Sequence, residues 1–373
     1  MKSFRLIPSV AEYATFAAFA AEAALGAQDL ILTNEYIYEP SIAALHLGSQ
    51  TLFQEKYGAG EPTDVMVDAI LNELHGRQYN RIVAIGGGTI IDIAKVLAVA
   101  DRTDTVDGLY DRMIGLTKVH PLLIVPTTCG TGSAVTNISI INRTTKGVKQ
   151  GIVSPAMFAD EAVLIPDLLM SLPYPVFATS SIDAMIHAVE SYLSPNACAL
   201  SEVFSERALG LILQGWKAAV ASGTKDGWKA HAAAFLRASN FAGIAFGHAG
   251  CAAVHALSYP LGGVHHIPHG QANQLMFADV MRKYQEKKPV GKLNRLEELL
   301  AKELDAEPVF ALETLYGLMD AVLKKGPLHE HGVTADELPA FAKNVLETQQ
   351  RLLGNNYVEL SEADILDIYR KAF

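Results

Sequence analysis

The sequence predicts an α/β N-terminal domain built on a parallel sheet and, after it, an all-helical C-terminal domain. Two patterns carry that expectation. From residue 26 to about 170, short β-branched runs alternate with helical segments, and strands interleaved with helices pair in parallel. Beyond Pro173 the strand patterns stop and helix follows helix to the C-terminus, so the domains are expected at 1–172 and 173–373. A chain of 373 residues with 50% apolar and 19% charged side chains can fill two cores.

Taken in order, ATFAAFAAEAALGA is preceded by Glu12 and interrupted by Glu22, which makes it an amphipathic first helix rather than a secretory segment. DLILT, RIVAIGGG, LLIVPTT and AVLIP read as strands. In the second half, Thr334 to Glu337 and Ser361 to Asp364 carry helix-capping signals. Uninterrupted apolar runs of about 18 residues are missing, so no transmembrane span is expected. The formal charge of −10 and a pI near 5.6 argue against nucleic-acid or anionic-membrane partners and leave a small molecule as the expected one. Three widely spaced cysteines, an odd number, do not make a disulfide framework and fit a reducing, cytoplasmic compartment. The two halves are expected to pack directly, with a cleft between them as the default binding site.

The run RIVAIGGGTIIDIAKVLAVA is a buried strand, a turn of Gly86, Gly87 and Gly88, and a helix whose apolar positions recur at Ile90, Ile93, Ala94 and Leu97. Thr89 and Asp92 stand three apart, as a capping box would place them. Backbone N–H groups at such a turn, with about half a positive charge at the helix N-terminus, suit a pyrophosphate. A tight turn alone would account for one or two glycines but not for the entropy cost of three. A second loop, PTTCGTGSAVTN from Pro126 to Asn137, also follows a strand and offers hydroxyl and backbone donors without bulk.

The helix pattern SSIDAMIHAVESY sets Asp183 and His187 four apart, hence on one face, where they could share a hydrogen bond or a metal. The segment HALSYPLGGVHHIPHG then carries His255, His265, His266 and His269, four of the twelve histidines in fifteen residues, a density that chance explains poorly. His255 is expected on a helix that Pro260, Gly262 and Gly263 terminate, so that His269 folds back beside it. Any one histidine is more often a hydrogen-bonded core residue. As a set, Asp183, His187, His255 and His269 favour a borderline divalent ion, Fe2+ or Zn2+, over Mg2+ or Ca2+.

Together GGGTIIDIAK, PTTCGTGSAVT, DAMIHAVESY and HALSYPLGGVHHIPHGQAN resemble the signatures of the iron-dependent (group III) alcohol dehydrogenases, nearly end to end. The resemblance implies a Rossmann-like N-terminal domain, a helical metal-binding and substrate domain, NAD, and Fe2+ with Zn2+ as the alternative. Carried over by position, the metal ligands would be Asp183, His187, His255 and His269. Gly87, Gly88, Thr89, Thr127, Thr128 and Thr131 would hold the dinucleotide, beside Gly86 and Asp92 of the same turn, and Lys149 would reach a ribose. Three positions depart from the family pattern. Tyr259 stands where many members have a second histidine, which leaves the proton relay to Tyr259, His266 or the cofactor ribose, with Lys149 nearby. Ala134 replaces an acidic residue in the second loop. Asn34 and Glu35 follow the first strand where many members carry Asp, and Glu35 would still favour NAD over NADP.

The implied chemistry is hydride transfer between NAD and a short hydroxy acid and its aldehyde acid, with another primary alcohol or diol as the alternative substrate. A substrate carboxylate would need a cation or N–H donors, for which Arg143, Lys146, Lys149, Asn137, His265 and His266 are candidates. A homo-oligomer, dimer or larger, is the expected assembly. A lyase like dehydroquinate synthase would share the cofactors but not the D-x3-H and H-x13-H spacing. A nucleotide sensor would bind the dinucleotide without metal or turnover.

Overall fold

The computed structural model describes residues 4–101 and 104–373. Residues Leu6–Leu172 form one compact unit, and Pro173–Phe373 form the other, to which Phe4 belongs through its stack on Phe204.

The α/β unit has eight strands: β1 (Ser9–Glu12), β2 (Asp29–Thr33), β3 (Gln50–Phe53), β4 (Arg81–Gly86), β5 (Leu122–Pro126), β6 (Ile138–Arg143), β7 (Val148–Val153) and β8 (Glu161–Leu164). Six make one sheet in the order β1-β8-β5-β4-β2-β3, every pair parallel, while β6 and β7 form a separate antiparallel hairpin. The four strands read from sequence are the four interior ones. β2 and β5 are buried at every position, as strands covered on both faces must be, and this produces continuous apolar runs. The edges β1 and β3 are largely exposed or half-buried.

Side chains alternate across the sheet. Val83 and Ile85 join Phe16, Phe19, Ile31 and Val125 in a core on one face, under the Phe16–Glu22 helix. That helix begins where Thr15 accepts the Ala18 N–H at 3.2 Å. The Gly88–Val99 helix packs on β4 and β5 as well. At the start of β2 and β4, the registered pair Asp29 and Arg81 is locked by two contacts, 2.7 and 3.0 Å. Strand order reverses between β2 and β4, because the chain leaves β2 for the β3 edge and then crosses back. In open parallel sheets such a reversal opens a crevice at the C-terminal strand ends.

The helical unit is organised around the Tyr174–Leu193 helix, which packs against the helices Ala199–Ala221, Ala232–Ala249 and His269–Lys287. From Ser181 to Leu193 every residue of this helix is buried. Phe177 stacks on Trp228 at 4.2 Å between centroids, and Trp216 Nε1 donates to Ser181 Oγ at 2.9 Å. Capping boxes stand at Thr334–Glu337 and Ser361–Asp364, as the sequence suggests. Among the described residues no single helix is long and apolar enough to cross a membrane.

Two local expectations change. The glycine helix starts at Gly88 with Gly87 as its cap and no side-chain cap bond, so Thr89 and Asp92 are not a capping box. Asp92 has stronger partners elsewhere, described below. The helix carrying His255 runs Ala253–His265, through Pro260, and ends only where His266 turns left-handed at φ 55°. A proline in a helix removes one N–H bond and bends the chain, but burial of Val254, Ala256, Leu257 and Leu261 keeps this helix going. Gly86, Gly87 and Gly88 are absent from the positive-φ positions. What requires them is proximity, not conformational freedom.

Gly270 sets a close crossing between the His269–Lys287 and Tyr174–Leu193 helices. A Cβ there would lie 1.9 Å from the carbonyl oxygen of Thr179, a backbone atom that cannot swing away. Gly270→Ala should therefore destabilise the fold by about 1–3 kcal/mol, the usual cost of overpacking, measured by urea unfolding monitored on tryptophan. Unchanged stability would show that the two helices can separate freely.

Candidate metal centre and dinucleotide cradle

In the α/β unit, three chain turns leave the C-terminal ends of β2, β4 and β5. After β4, Gly86 is tight against Ile90, whose side chain would lie 2.4 Å from an added Cβ. Cβ atoms on Gly87 and Gly88 would come within 3.2 Å of Thr128 Cγ2 and 3.0 Å of Thr131 Cγ2. The glycine turn and the hydroxyl loop therefore face each other with no room for side chains between them. Thr127 N donates to Gly86 O at 3.0 Å, tying the two turns. The result is a cradle lined by backbone and threonine hydroxyls beside a helix N-terminus, suited to a pyrophosphate.

Around the cradle, the other candidates take assigned places. Thr89 Oγ1 donates to Gly60 O at 3.0 Å. Asp92 points away from the turn: its Oδ1 accepts from Ser133 Oγ at 2.9 Å and its Oδ2 from Ile140 N at 3.0 Å. Asn34, after β2, is buried with Nδ2 on Glu55 Oε2 at 2.9 Å, while Glu35 is exposed and its backbone N–H meets Glu55 Oε1 at 2.6 Å. Glu55 thus places a carboxylate at the start of the Glu35–Ser41 helix, beside Asn34 and Glu35, which the sequence points to as ribose contacts. Lys149, on β7, pairs with Glu61 at 2.8 Å. Arg143 is taken up by Asp107, by Gln150 at 2.9 Å and by the Tyr110 ring, and Lys146 faces the same Asp107, so these cations serve the hairpin.

In the helical unit, the four predicted ligands come together. Asp183, His187 and His255 are buried, at 3%, 5% and 3% exposure, while the His269 side chain is 30% exposed. His269 therefore marks the open side. Asp183 Oδ1 lies 3.5 Å from His255 Nε2 and 3.6 Å from His269 Nε2, and Asp183 Oδ2 lies 3.8 Å from His187 Nδ1. The His187 ring stacks between Phe246 at 4.2 Å and His255 at 4.5 Å. Cys251 offers its sulfur within reach of His187 and His255. The i,i+4 spacing puts Asp183 and His187 on one face, and the Gly270 crossing brings His269 up to them.

Two residues that sequence reading missed complete the centre. Glu190, 2% exposed, lies three residues beyond His187 on the same helix face. Its carboxylate takes His255 Nδ1 at 2.6 Å and the N–H groups of Ala252 and Val254 at 3.0 and 2.6 Å. This commits Nδ1 and turns the Nε2 lone pair inward. Asn273, four residues after His269, donates from Nδ2 to Asp183 Oδ1 at 2.8 Å and lies 3.2 and 3.3 Å from the Nε2 atoms of His255 and His269. Its Oδ1 has no hydrogen-bond partner. With the histidines neutral, one amide with two hydrogens cannot satisfy three converging acceptors, so a proton or a cation must make up the deficit. A divalent ion that accepts both carboxylate and imidazole fits that deficit.

The electrostatics agree. Burial alone would raise Asp183, but His187, His269 and His255 hold it far below the ordinary carboxylate range. Burial alone would lower His255; the carboxylates of Glu190 and Asp183 reverse this and raise it from 6.5 to about 9. Of the remaining candidates in this unit, Tyr259 sits one turn beyond His255 with its ring 6.2 Å from that of His269. His266 is exposed at the helix end, and His265 Nε2 pairs with Glu337 at 3.1 Å.

Residues 13–166 match the family described as iron-containing alcohol dehydrogenase, and residues 177–373 match the C-terminal part of the Fe-containing alcohol dehydrogenase family. The chain is 45% identical over 373 residues, the whole of both proteins, to a 4-hydroxybutyrate dehydrogenase of Clostridium kluyveri. Its structure resembles that of a 1,3-propanediol oxidoreductase, with a TM-score of 0.85, 25% identity and 100% of both chains covered. It also resembles a sulfoacetaldehyde reductase from Bifidobacterium kashiwanohense in complex with NAD+, with a TM-score of 0.86, 21% identity, and 100% and 98% coverage.

Glu190→Gln should weaken Zn2+ binding about 10- to 100-fold, as loss of an outer-shell carboxylate does, read by competition with a chromophoric chelator. Equal affinity in the variant would remove Glu190 from the centre. In the metal-free protein, the His255 proton stabilises the fold fully below its ordinary 6.5, and that contribution is lost as pH rises through about 9. An ion must displace this proton, so Zn2+ affinity should climb with pH up to about 9, with proton release visible by calorimetry in buffers of different ionisation enthalpy. An affinity flat from neutral pH upward would exclude His255 as a ligand.

Proposed function

We propose that this chain, which belongs to the iron-containing alcohol dehydrogenase family, interconverts 4-hydroxybutyrate and succinate semialdehyde with NAD. The observation that carries the substrate is likeness along the full length to the Clostridium kluyveri enzyme, without gaps in coverage of either chain. Asp183, His187, His255 and His269 hold Fe2+, or Zn2+ in its place. When bound, the ion supplies a Lewis acid at the substrate oxygen and the dinucleotide supplies the hydride acceptor.

The chain's own residues supply position and charge. Glu190 fixes the His255 ring, and Asn273 holds Asp183 Oδ1 in place, so the donors are set before an ion arrives. The opening at His269 leaves room for a substrate oxygen. Tyr259 Oη, on the helix turn beside His269, is the group that passes on the alcohol proton, a task that His266 and Lys149 are less suited to. His266 is exposed at the helix end, and Lys149 is paired with Glu61. Gly87, Gly88, Thr128 and Thr131 hold the pyrophosphate, and the carboxylates at Glu35 and Glu55 favour NAD by repelling a 2′-phosphate. Arg143 and Lys146 are engaged by Asp107, which leaves Asn137 and His266 as candidates for the substrate carboxylate. The proposal extends to domains at 1–172 and 173–373, a homo-oligomer and a cytoplasmic setting. None of the three cysteines forms a disulfide, which accords with a reducing compartment.

A second substrate reading, an uncharged short alcohol or diol, has the structural likeness to the 1,3-propanediol oxidoreductase in its favour. NADH formation on 4-hydroxybutyrate, compared with ethanol, butanol and 1,3-propanediol, in protein loaded anaerobically with Fe2+ or Zn2+ and in chelator-treated protein, decides between them. Metal-dependent turnover should be fastest on 4-hydroxybutyrate. Activity confined to uncharged alcohols would discard the hydroxy acid, and metal-independent activity would discard the centre.

A further inference from the structure

Lys95, in the Gly88–Val99 helix, is fully buried, at 0% exposure, and its hydrogen bonds go to Ser133, Thr136 and Ile138 rather than to the cradle's glycines and Thr127, Thr128 and Thr131. Its Nζ donates to Ser133 Oγ at 2.7 Å, to Thr136 Oγ1 at 3.0 Å and to Ile138 O at 2.8 Å. Each hydroxyl has its own hydrogen engaged elsewhere, Ser133 Oγ on Asp92 Oδ1 at 2.9 Å and Thr136 Oγ1 on Ser133 O at 3.3 Å. Both must therefore accept from Lys95. Three acceptors face three N–H donors, and only the ammonium form has three.

Asp92, one turn earlier on the same helix, completes the arrangement. Its carboxylate takes Ser133 Oγ and Ile140 N, and its own carbonyl takes Ser139 Oγ at 2.8 Å. Two side chains of one helix thus hold both the hydroxyl loop and β6. The loop is short between this anchor and the cradle: Ser133 N donates to Thr131 Oγ1 at 3.3 Å, and Thr131 is the residue that faces Gly88. We propose that Lys95, with Asp92, is a positioning residue for the dinucleotide: it fixes the distance between Thr128 and Thr131 on one side and the glycine turn on the other. This rests on the dinucleotide reading of the cradle.

The buried ammonium also gives the anchor a pH limit. Burial lowers Lys95 to about 8 against the pull of Asp92, the charge acting on it directly; Lys149 of the hairpin acts on Asp92 in turn. The loop and β6 otherwise present hydroxyls and carbonyls to it. Above that pH the neutral amine turns a lone pair toward one of its three acceptors, and the loop loosens.

The test is NADH titration by fluorescence on the metal-loaded full chain, for wild type, Lys95→Met and Ser133→Ala, from neutral to alkaline pH. Lys95→Met should raise the NADH dissociation constant about tenfold or more, because small misplacement of a binding loop is costly. Its kcat at saturating NAD should stay within about threefold, the pattern of lost binding rather than lost chemistry. Metal content should not change. Ser133→Ala, which guards against a misfolded lysine variant, removes the hydrogen bonds to both Lys95 and Asp92 and should raise the constant by about three- to tenfold. Wild-type affinity should decline above pH about 8 while Lys95→Met stays flat. Unaltered NADH affinity in both variants, or a fall in kcat with KM for NAD unchanged, overturns the inference alone. Wild-type protein that binds no NADH overturns it together with the dinucleotide reading.

Discussion

A carboxylate inside a helix bundle is costly unless positive charge or hydrogen-bond donors surround it, and Asp183 sits in the most buried stretch of the most central helix. Three imidazoles and the Asn273 amide are drawn around it, from the Tyr174–Leu193, Ala253–His265 and His269–Lys287 helices. Glu190, a second buried carboxylate on the same helix face, is satisfied in a different way, by two backbone N–H groups and one ring nitrogen. The first anion is left with three imidazoles as neighbours, whose positive charge or a bound cation must balance it. The second anchors the start of the Ala253–His265 helix. One helix face thus separates a site that wants a cation from a support that does not.

The α/β unit solves a related problem with neutral groups. Here the cofactor would bring its own negative charge, and the protein contributes aligned N–H groups and hydroxyls rather than full charges. The buried Lys95 and the half-buried Asp92 hold the loop through Ser133, and the loop itself presents hydroxyls and backbone groups. Cations that look available in the sequence, Arg143 and Lys149, are engaged by Asp107 and Glu61. This arrangement lets a polar cradle be stiff without competing for its ligand.

What the sequence disclosed follows from which periodicities were strong. The interior strands were legible because burial on both faces leaves continuous apolar runs, whereas β1, β3 and the β6–β7 hairpin, only four to six residues each, have no continuous buried stretch. Asp183 and His187 were legible because i,i+4 spacing is a geometric rule. The same rule was available for Glu190, in D-x3-H-x2-E, and for Asn273, four after His269, yet a glutamate and an asparagine do not announce metal chemistry as histidine does. Thr89 and Asp92 mimicked a capping box because spacing along the chain does not reveal Ser133, 41 residues further on, as the competing partner. The glycine triplet was recognised for its place, while the reason for it, contact with Ile90, Thr128 and Thr131, is a tertiary fact.

The contact between Asp183 and Asn273 joins residues 90 apart in the chain. During synthesis the aspartate and its neighbouring histidine emerge well before the segment that supplies His255, His269 and Asn273. Two ligands alone hold a divalent ion loosely, so an early ion has little to bind. With the proposed ligand set, loading would wait for the His269–Lys287 helix, and ion uptake would report that the bundle is complete. A chain arrested or misdocked at that step would stay empty, and the ion's binding energy would be added only to molecules already folded.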